Sequence, residues 1–313
     1  MRDERIIARV AKLFYINDAS QYEIAEKFNF SKSKVCRLIK EAKKRNIIEF
    51  SIKKIDKRSL DLEQEVEKAY SLREVIIFYN SDVKNYNEEI LFQEIGKLGA
   101  DYIKRVVEDK LNLALTWGKT LRYIIKNIRF DKKYKINVFS TIGSVSLTET
   151  ENQAANITQM FCEKTGGSCY PIYLPLFVKT PELKEALMYA NDMSKIIGDS
   201  SKIDYYFTSL GAISKISRMY TLGGFDLEFL NTLIEKKIIG EIGLNFYDIN
   251  GNFINAGMEN MTIKLSVDEI KRIKNKIVIA FGPEKIDPIK GLLKTGIADV
   301  LITDSKTAEK ILI

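Results

Sequence analysis

Residues 111–128 read LNLALTWGKTLRYIIKNI. Leu111 to Leu115 is a short apolar run of strand length with no helical period. Gly118 interrupts it. Beyond it, Leu121, Ile124, Ile125 and Ile128 recur at spacings of three and four, one face of a helix over Thr120–Ile128. A buried strand that passes through a glycine turn into an amphipathic helix is the repeating unit of a parallel α/β sheet.

The alternation extends both ways from this unit. Upstream, Glu74–Tyr79 (EVIIFY) reads as a strand and Glu88–Val107 as a long amphipathic helix, with a short charged helix over Leu60–Tyr70 before them. Downstream, strands are expected at Ile136–Phe139, Ser168–Tyr173, Asp204–Ser209, Ile242–Tyr247, Lys276–Phe281 and Val300–Ile302. Helices are expected at Glu151–Lys164, Pro181–Met188, Leu227–Lys236, Pro288–Lys294 and Ser305–Ile311. This is the pattern of a Rossmann-like parallel sheet with helices on both faces. Ligands of such sheets bind beyond the carboxyl ends of the strands, so the candidate loops are known by position.

Four loops qualify. In Thr116–Thr120, Gly118 lets a ligand approach the backbone, the Thr120 hydroxyl and helix-start amides suit a phosphate, and Lys119 adds charge. The loop lacks GxxxxGK[ST], so it is no nucleotide P-loop. In Ile142–Ser146, Gly143 and Ser144 offer similar chemistry. Gln153 and Asn156 follow three apart, on one face of the next expected helix, and suit sugar hydroxyls. The third loop is Leu210–Ala212, with Arg218 further along. The fourth, Phe281–Lys285, places Lys285 at a strand-to-helix connection. Thr303-Asp304 lies on the same rim, where Asp304 is equally a cap for the last helix. Asp248–Gly251 reads as a tight turn, and Trp117 as packing.

The N-terminal part has a different character. Residues 1–58 hold sixteen Lys/Arg against eight Asp/Glu, while residues 59–313 hold 33 against 34, so the formal charge of +7 is concentrated at one end. A basic module on a near-neutral body is the footprint of a nucleic-acid binder. A helix is expected over Arg5–Tyr15. Ser20 caps a second over Gln21–Phe28, which Asn29 ends. Ser31 caps a third that runs to about Arg45. Ser31–Arg45 carries seven Lys/Arg and one acid, with Val35, Leu38, Ile39 and Ala42 as its apolar stripe. Two helices on a short turn, the second basic, form a helix-turn-helix. Lys32, Ser33 and Arg37 are expected at or near base edges. Ser31 lies on the same surface, Lys34, Lys40, Lys43 and Lys44 are expected at phosphates or as solubilising charge, and Gln21 and Tyr22 are expected to set the backbone register. Ile47–Ile52 alternates like the strand of a wing, and Lys53, Lys54, Lys57 and Arg58 follow it.

Composition removes whole classes of chemistry. The chain has no histidine, which excludes Ser-His-Asp and Cys-His catalysis, His-liganded zinc and imidazole pH sensing. Cys36, Cys162 and Cys169 match no common metal spacing and suit a reducing compartment. There is no secretory h-region and no run of the roughly 18 apolar residues of a membrane span. A cytoplasmic protein with no membrane partner and no metal is expected.

Several stretches together resemble the SorC family of bacterial sugar-responsive transcriptional regulators. Gln21–Ala25 and Ser31–Ala42 look like its helix-turn-helix. Trp117–Leu121 is similar to its WGxT loop. Gly240–Ile242, Phe246–Asp248 with Gly251, Phe281–Lys285 and Val300–Asp304 resemble its later motifs in order and spacing. The resemblance implies a winged helix-turn-helix over residues 1–56 and, over 57–313, an oligomerising effector domain related to sugar-phosphate isomerases. It implies a small phosphorylated sugar as effector, double-stranded operator DNA as partner, no separate cofactor, and a homodimer or homotetramer. Carried over, Gly118, Lys119, Thr120, Gly143 and Ser144 cradle the phosphate. Gln153, Asn156, Arg218, Glu241 and Lys285 face the sugar or a second phosphate. The chain departs from the family's Gly-Gly pairs at Ser144 and Pro283, and Pro283 lacks an N–H donor.

The expected function is therefore a DNA-binding regulator of a carbohydrate-metabolism operon, not an enzyme. The alternative, a sugar-phosphate isomerase with a basic appendage, needs a positioned acid and base. Without histidine, that chemistry must rely on carboxylates or lysine alone; Glu241 or Asp248 could be offered, but neither sits in a catalytic constellation. A third reading makes the body a purely oligomerising support for a DNA binder.

Overall fold

The computed structural model describes residues 2–48, 57–79, 87–145, 150–190, 199–214 and 226–313. The chain divides into two compact units, Met1–Ile55 and Asp56–Ile313.

The first unit contains α1 (Arg2–Tyr15), α2 (Gln21–Phe28) and α3 (Lys32–Lys44). Local polar chemistry sets their ends. Ser20 Oγ accepts the Glu23 amide at 3.3 Å, and the Glu23 carboxylate accepts the Ser20 amide at 2.7 Å, a reciprocal capping box. Asn29 ends α2 with φ 55°, and Ser31 Oγ accepts the Lys34 amide at 3.2 Å to start α3. Asn46, at φ 51°, closes α3, with the Ile47 amide donating to Ala42 O. Ile7, Val10 and Ala11 of α1 pack with Ile24 and Ala25 of α2 and with Val35, Leu38, Ile39 and Ala42 of α3. Of the expected wing strand, Ile47 and Ile48 are irregular and pack on this core. The rest, with Lys53 and Lys54, lies outside the described residues.

The second unit opens with α4 (Lys57–Tyr70), β1 (Glu74–Phe78), α5 (Glu88–Val106), β2 (Asn112–Leu115), α6 (Lys119–Asn127) and β3 (Asn137–Ser140). Then come α7 (Ala154–Thr165), β4 (Ser168–Tyr170), α8 (Pro181–Ala190), β5 (Tyr205–Thr208), β6 (Leu210–Ala212), α9 (Leu227–Glu235), β7 (Gly240–Ile242) and β8 (Asn245–Tyr247). It closes with α10 (Val267–Arg272), β9 (Asn275–Ile279), α11 (Ile286–Lys294), β10 (Val300–Asp304) and α12 (Ser305–Ile311).

Seven strands form one parallel sheet in the order β1-β10-β9-β5-β2-β3-β4, and β6-β7-β8 form a small antiparallel sheet. The period-two alternation of each strand divides the core. Leu113, Leu115, Val138, Phe207, Ile277 and Ile279 face one layer with α5, α6 and α7. Ala114, Tyr206, Val278, Ala280 and Leu301 face the other, with Ile270 of α10, Ile289 and Leu292 of α11 and Ala308 of α12.

Two expectations are corrected. Ile242–Tyr247, read as one strand, is a reversal: β7 turns into β8 at Gly243 and Leu244, whose φ angles are 54° and 59°. Paired left-handed residues make the tight hairpin turn; Leu244 hides it because an apolar residue reads as strand. Glu151–Lys164, read as one helix, is a 3-10 turn at Thr150–Asn152 followed by α7. Gln153 is the extended residue between them, so Gln153 and Asn156 do not share a helix face. Asp304 caps α12 by accepting the Thr307 amide at 3.1 Å. Among the described residues, no helix is long and apolar enough to cross a membrane, and no group of three or more His, Cys, Asp and Glu is placed to hold a metal ion.

Candidate functional site

The chain leaves β2 in one direction, through β3 to β4, and returns to β5 on the other side of β2. That reversal is a topological switch point, and ligands of such sheets bind outside the carboxyl ends of the strands that flank it, here β2 and β5. Thr116 directly follows β2 and Thr208 ends β5, and their buried hydroxyls lie 3.1 Å apart. Gly118 follows at φ 113°, and a Cβ built on it meets nothing within 4 Å, so the backbone is open to close approach.

The small antiparallel sheet brings a carboxylate to the same edge. A single residue, Ser209, separates β5 from β6, and Gly211 of β6 pairs with Glu241 of β7. The carboxylate lies over Gly211: a Cβ there would be 2.3 Å from Glu241 Oε1. Glu241 is buried, and burial pushes its carboxyl above the ordinary range. The Leu244 amide, donating to Oε2 at 2.7 Å, and the charges of Lys264 and Lys285 oppose that rise. Lys285 lies on the 3-10 turn Pro283–Lys285, directly after β9 and Gly282. The structure thus brings Glu241 and Lys285 together, and β6–β7 carries Glu241 to the sheet edge that bears Gly118.

Lys264 is a third charge here. It donates to Leu244 O at 2.9 Å and Asn245 Oδ1 at 2.6 Å, and burial pulls its ammonium down to about 8. It also borders a shallow surface depression with Phe177, Phe246, Met258 and Glu259. Thr208 and Lys264 were not among the residues singled out from sequence. Thr208 closes a strand, which is a positional signal. Lys264 stands in irregular chain and gives none.

The remaining candidates have varied surroundings. Lys119 turns to α5: its ammonium sits 4.0 Å from the centre of the Phe92 ring and 3.5 Å from the Glu89 carboxylate. Thr120 is buried in the first turn of α6. The Gly143 amide donates to Ile263 O at 2.9 Å, the Ser144 amide to Leu174 O at 2.8 Å, and Ser144 Oγ to Ile172 O at 3.3 Å. Both amides of the expected phosphate cradle are therefore engaged with backbone. Gln153 donates to Val145 O at 2.7 Å. Asn156 is half-buried on α7. Arg218 and Ser146 lie outside the described residues. Trp117 packs against an apolar group that includes Ile142, Leu176, Leu244 and Phe246. Asp248 holds its own turn, accepting the Asn250 and Asn252 amides, each at 2.9 Å.

On the first unit, Ser31, Lys32, Ser33, Lys34, Arg37 and Lys40 are all exposed on the side of α3 away from its buried stripe. Tyr22 is exposed and Gln21 half-buried at the start of α2. Lys34 lies over the Phe30 ring, 3.7 Å from its centre, and the Ser31 and Ser33 hydroxyls are 3.0 Å apart.

Residues 56–313 match a family model described as "Putative sugar-binding domain". The chain is 25% identical over 307 residues to the deoxyribonucleoside regulator of Bacillus subtilis, covering 97% of this chain and 96% of that protein. It is 23% identical to the sorbitol operon regulator of Klebsiella pneumoniae, covering 99% and 98%. The crystal structure of that full-length regulator superposes with a TM-score of 0.76 at 22% identity, over 99% of this chain and 98% of that one.

Proposed function

The chain belongs to the SorC family of sugar-binding transcriptional regulators, and on that premise we propose that a small phosphorylated sugar beyond the carboxyl ends of β2 and β5 changes its affinity for operator DNA. The observation that carries this reading is what stands beyond the carboxyl ends of the strands: Gly118 follows β2 with its backbone open on one side, and the buried Glu241 carboxylate feels the nearby charge of Lys285. A phosphate takes the helix-start backbone and the cation, and sugar hydroxyls take the carboxylate.

The first unit is the DNA-binding module, a winged helix-turn-helix. Lys32, Ser33 and Arg37 of α3 read base edges in the major groove. Lys34 and Lys40, with Gln21 and Tyr22, hold the backbone. Half-sites one helical turn or a multiple apart call for paired chains, so the working form is a homodimer or homotetramer. The turn at Asp248 favours a regulator over an isomerase, because that carboxylate, one of the two an isomerase reading offers, is committed to its own backbone amides.

A thermal-shift screen of the full chain tests the ligand half. A phosphorylated sugar at a hundred times its Kd adds about 2.7 kcal/mol, a rise in Tm of roughly 5–10 °C. The unphosphorylated parent sugar is expected to add far less. A panel of phosphorylated sugars that leaves Tm unmoved contradicts the proposal.

A further inference from the structure

We infer that Arg122 of α6 is an anion-binding residue of this site and that Glu151 is its internal competitor, the carboxylate and an effector phosphate exchanging on one guanidinium. The inference rests on the reading that a phosphate binds at the Gly118 turn.

Arg122 stands one turn into α6, and its amide donates to Gly118 O at 3.2 Å. Side chains of a helix lean toward its N-terminus, so this one runs back along the start of α6 to Glu151. Its side chain is only 16% exposed, unusual for a guanidinium at a sheet rim. One arm pairs with the Glu151 carboxylate, while Nε is buried and has no hydrogen-bond partner. Glu151 is 67% exposed.

The segment that carries Glu151 also reaches the glycine turn. Thr150–Asn152 is a single 3-10 turn, and the Asn152 carbonyl accepts the Gly118 amide at 2.8 Å. One short stretch of chain thus presents a carboxylate to Arg122 and a carbonyl to Gly118. These are an acceptor pair standing where a phosphate would take the same two donors. A phosphate brings three acceptor oxygens, enough to reach the idle Nε that Glu151 leaves unused. Because Glu151 is largely in water, its hold on Arg122 is weak and exchangeable. The sequence gives Arg122 no motif; it reads as one more charge on the polar side of a helix.

Trp117 is the single tryptophan and adjoins Gly118, so its fluorescence reports on the turn. The test titrates the full chain with inorganic phosphate against chloride at matched ionic strength, for wild type, Glu151→Gln, Arg122→Gln and the double variant. Removing the competitor is expected to tighten phosphate binding by roughly two- to fivefold. Arg122→Gln is expected to weaken it about tenfold or more, and the double variant to behave like Arg122→Gln. Equal affinity of wild type and Glu151→Gln overturns the competition while leaving the phosphate reading intact. A double variant that binds as tightly as Glu151→Gln overturns the role of Arg122. Phosphate binding to neither wild type nor Glu151→Gln overturns this inference together with the phosphate reading beneath it.

Discussion

Replacing Lys32 and Arg37 together by glutamate is expected to lower affinity for operator DNA by about a hundredfold or more, each lost contact to base or phosphate being worth ~1–3 kcal/mol. Both side chains are exposed on α3, and neither belongs to the core formed by Ile7, Ile24, Val35 and Ile39. Surface changes of this kind leave stability within about 0.5 kcal/mol, so the melting curve is expected to stay in place. Fluorescence anisotropy at two salt concentrations separates the contributions. Each phosphate contact removed lowers the slope of log affinity against log salt by about 0.9. Loss of affinity with an unchanged slope marks base contacts, and unchanged affinity removes α3 from the interface. Lys34 provides the contrast on the same helix. Its ammonium is drawn over Phe30 at the turn, in a position suited to a flanking phosphate.

Gly143→Ala is expected to destabilise the second unit by about 3 kcal/mol, the upper part of the range for a methyl forced into packed surroundings. The added Cβ would lie 2.9 Å from Leu174 O, Pro175 O and Leu176 Cα. All three are backbone atoms, so no rotamer change relieves the contact. The same segments exchange hydrogen bonds, Gly143 to Ile263 and Ser144 to and from the stretch Leu174–Leu176, and a shift would break them. For a unit of this size the loss corresponds to a fall in Tm of roughly 6–12 °C. Gly118→Ala is the control for space, because nothing lies within 4 Å of its Cβ position; its cost comes from φ 113° alone. A melting temperature for Gly143→Ala equal to wild type means that the bridge between β3 and Leu174–Leu176 is not a packed element.

These two glycines show what the sequence made legible. Gly118 reads as a place of close approach, and nothing lies within 4 Å of a Cβ built on it. Gly143 reads the same way, but the residues that need it small stand on a distant stretch of chain. Lys119 is similar: a lysine at a helix start reads as ligand charge until Glu89 and Phe92 of α5 are seen beside it. The features that were legible are local. Ser20 with Glu23, Ser31 and the left-handed Asn29 and Asn46 set the ends of α2 and α3 through bonds spanning three to five residues. The apolar run Leu111–Leu115 is legible as a strand, and in the fold Leu113 and Leu115 face one layer and Ala114 the other. The β7–β8 reversal escaped because Leu244 occupies a backbone conformation that its side chain does not advertise. Glu241 therefore reached the sheet edge by a route that periodicity did not show.

Operator binding measured with and without ligand decides whether the two units work as one regulator. Full-length protein is titrated against labelled DNA from its own promoter region, first alone and then with the phosphorylated sugar that gives the largest thermal shift. That sugar is expected to change the operator Kd by about tenfold or more, within the usual 5–150-fold range of coupling between sites, and its unphosphorylated parent to leave Kd unchanged. Operator DNA bound with the same Kd in the presence of every phosphorylated sugar that shifts Tm would contradict that coupling.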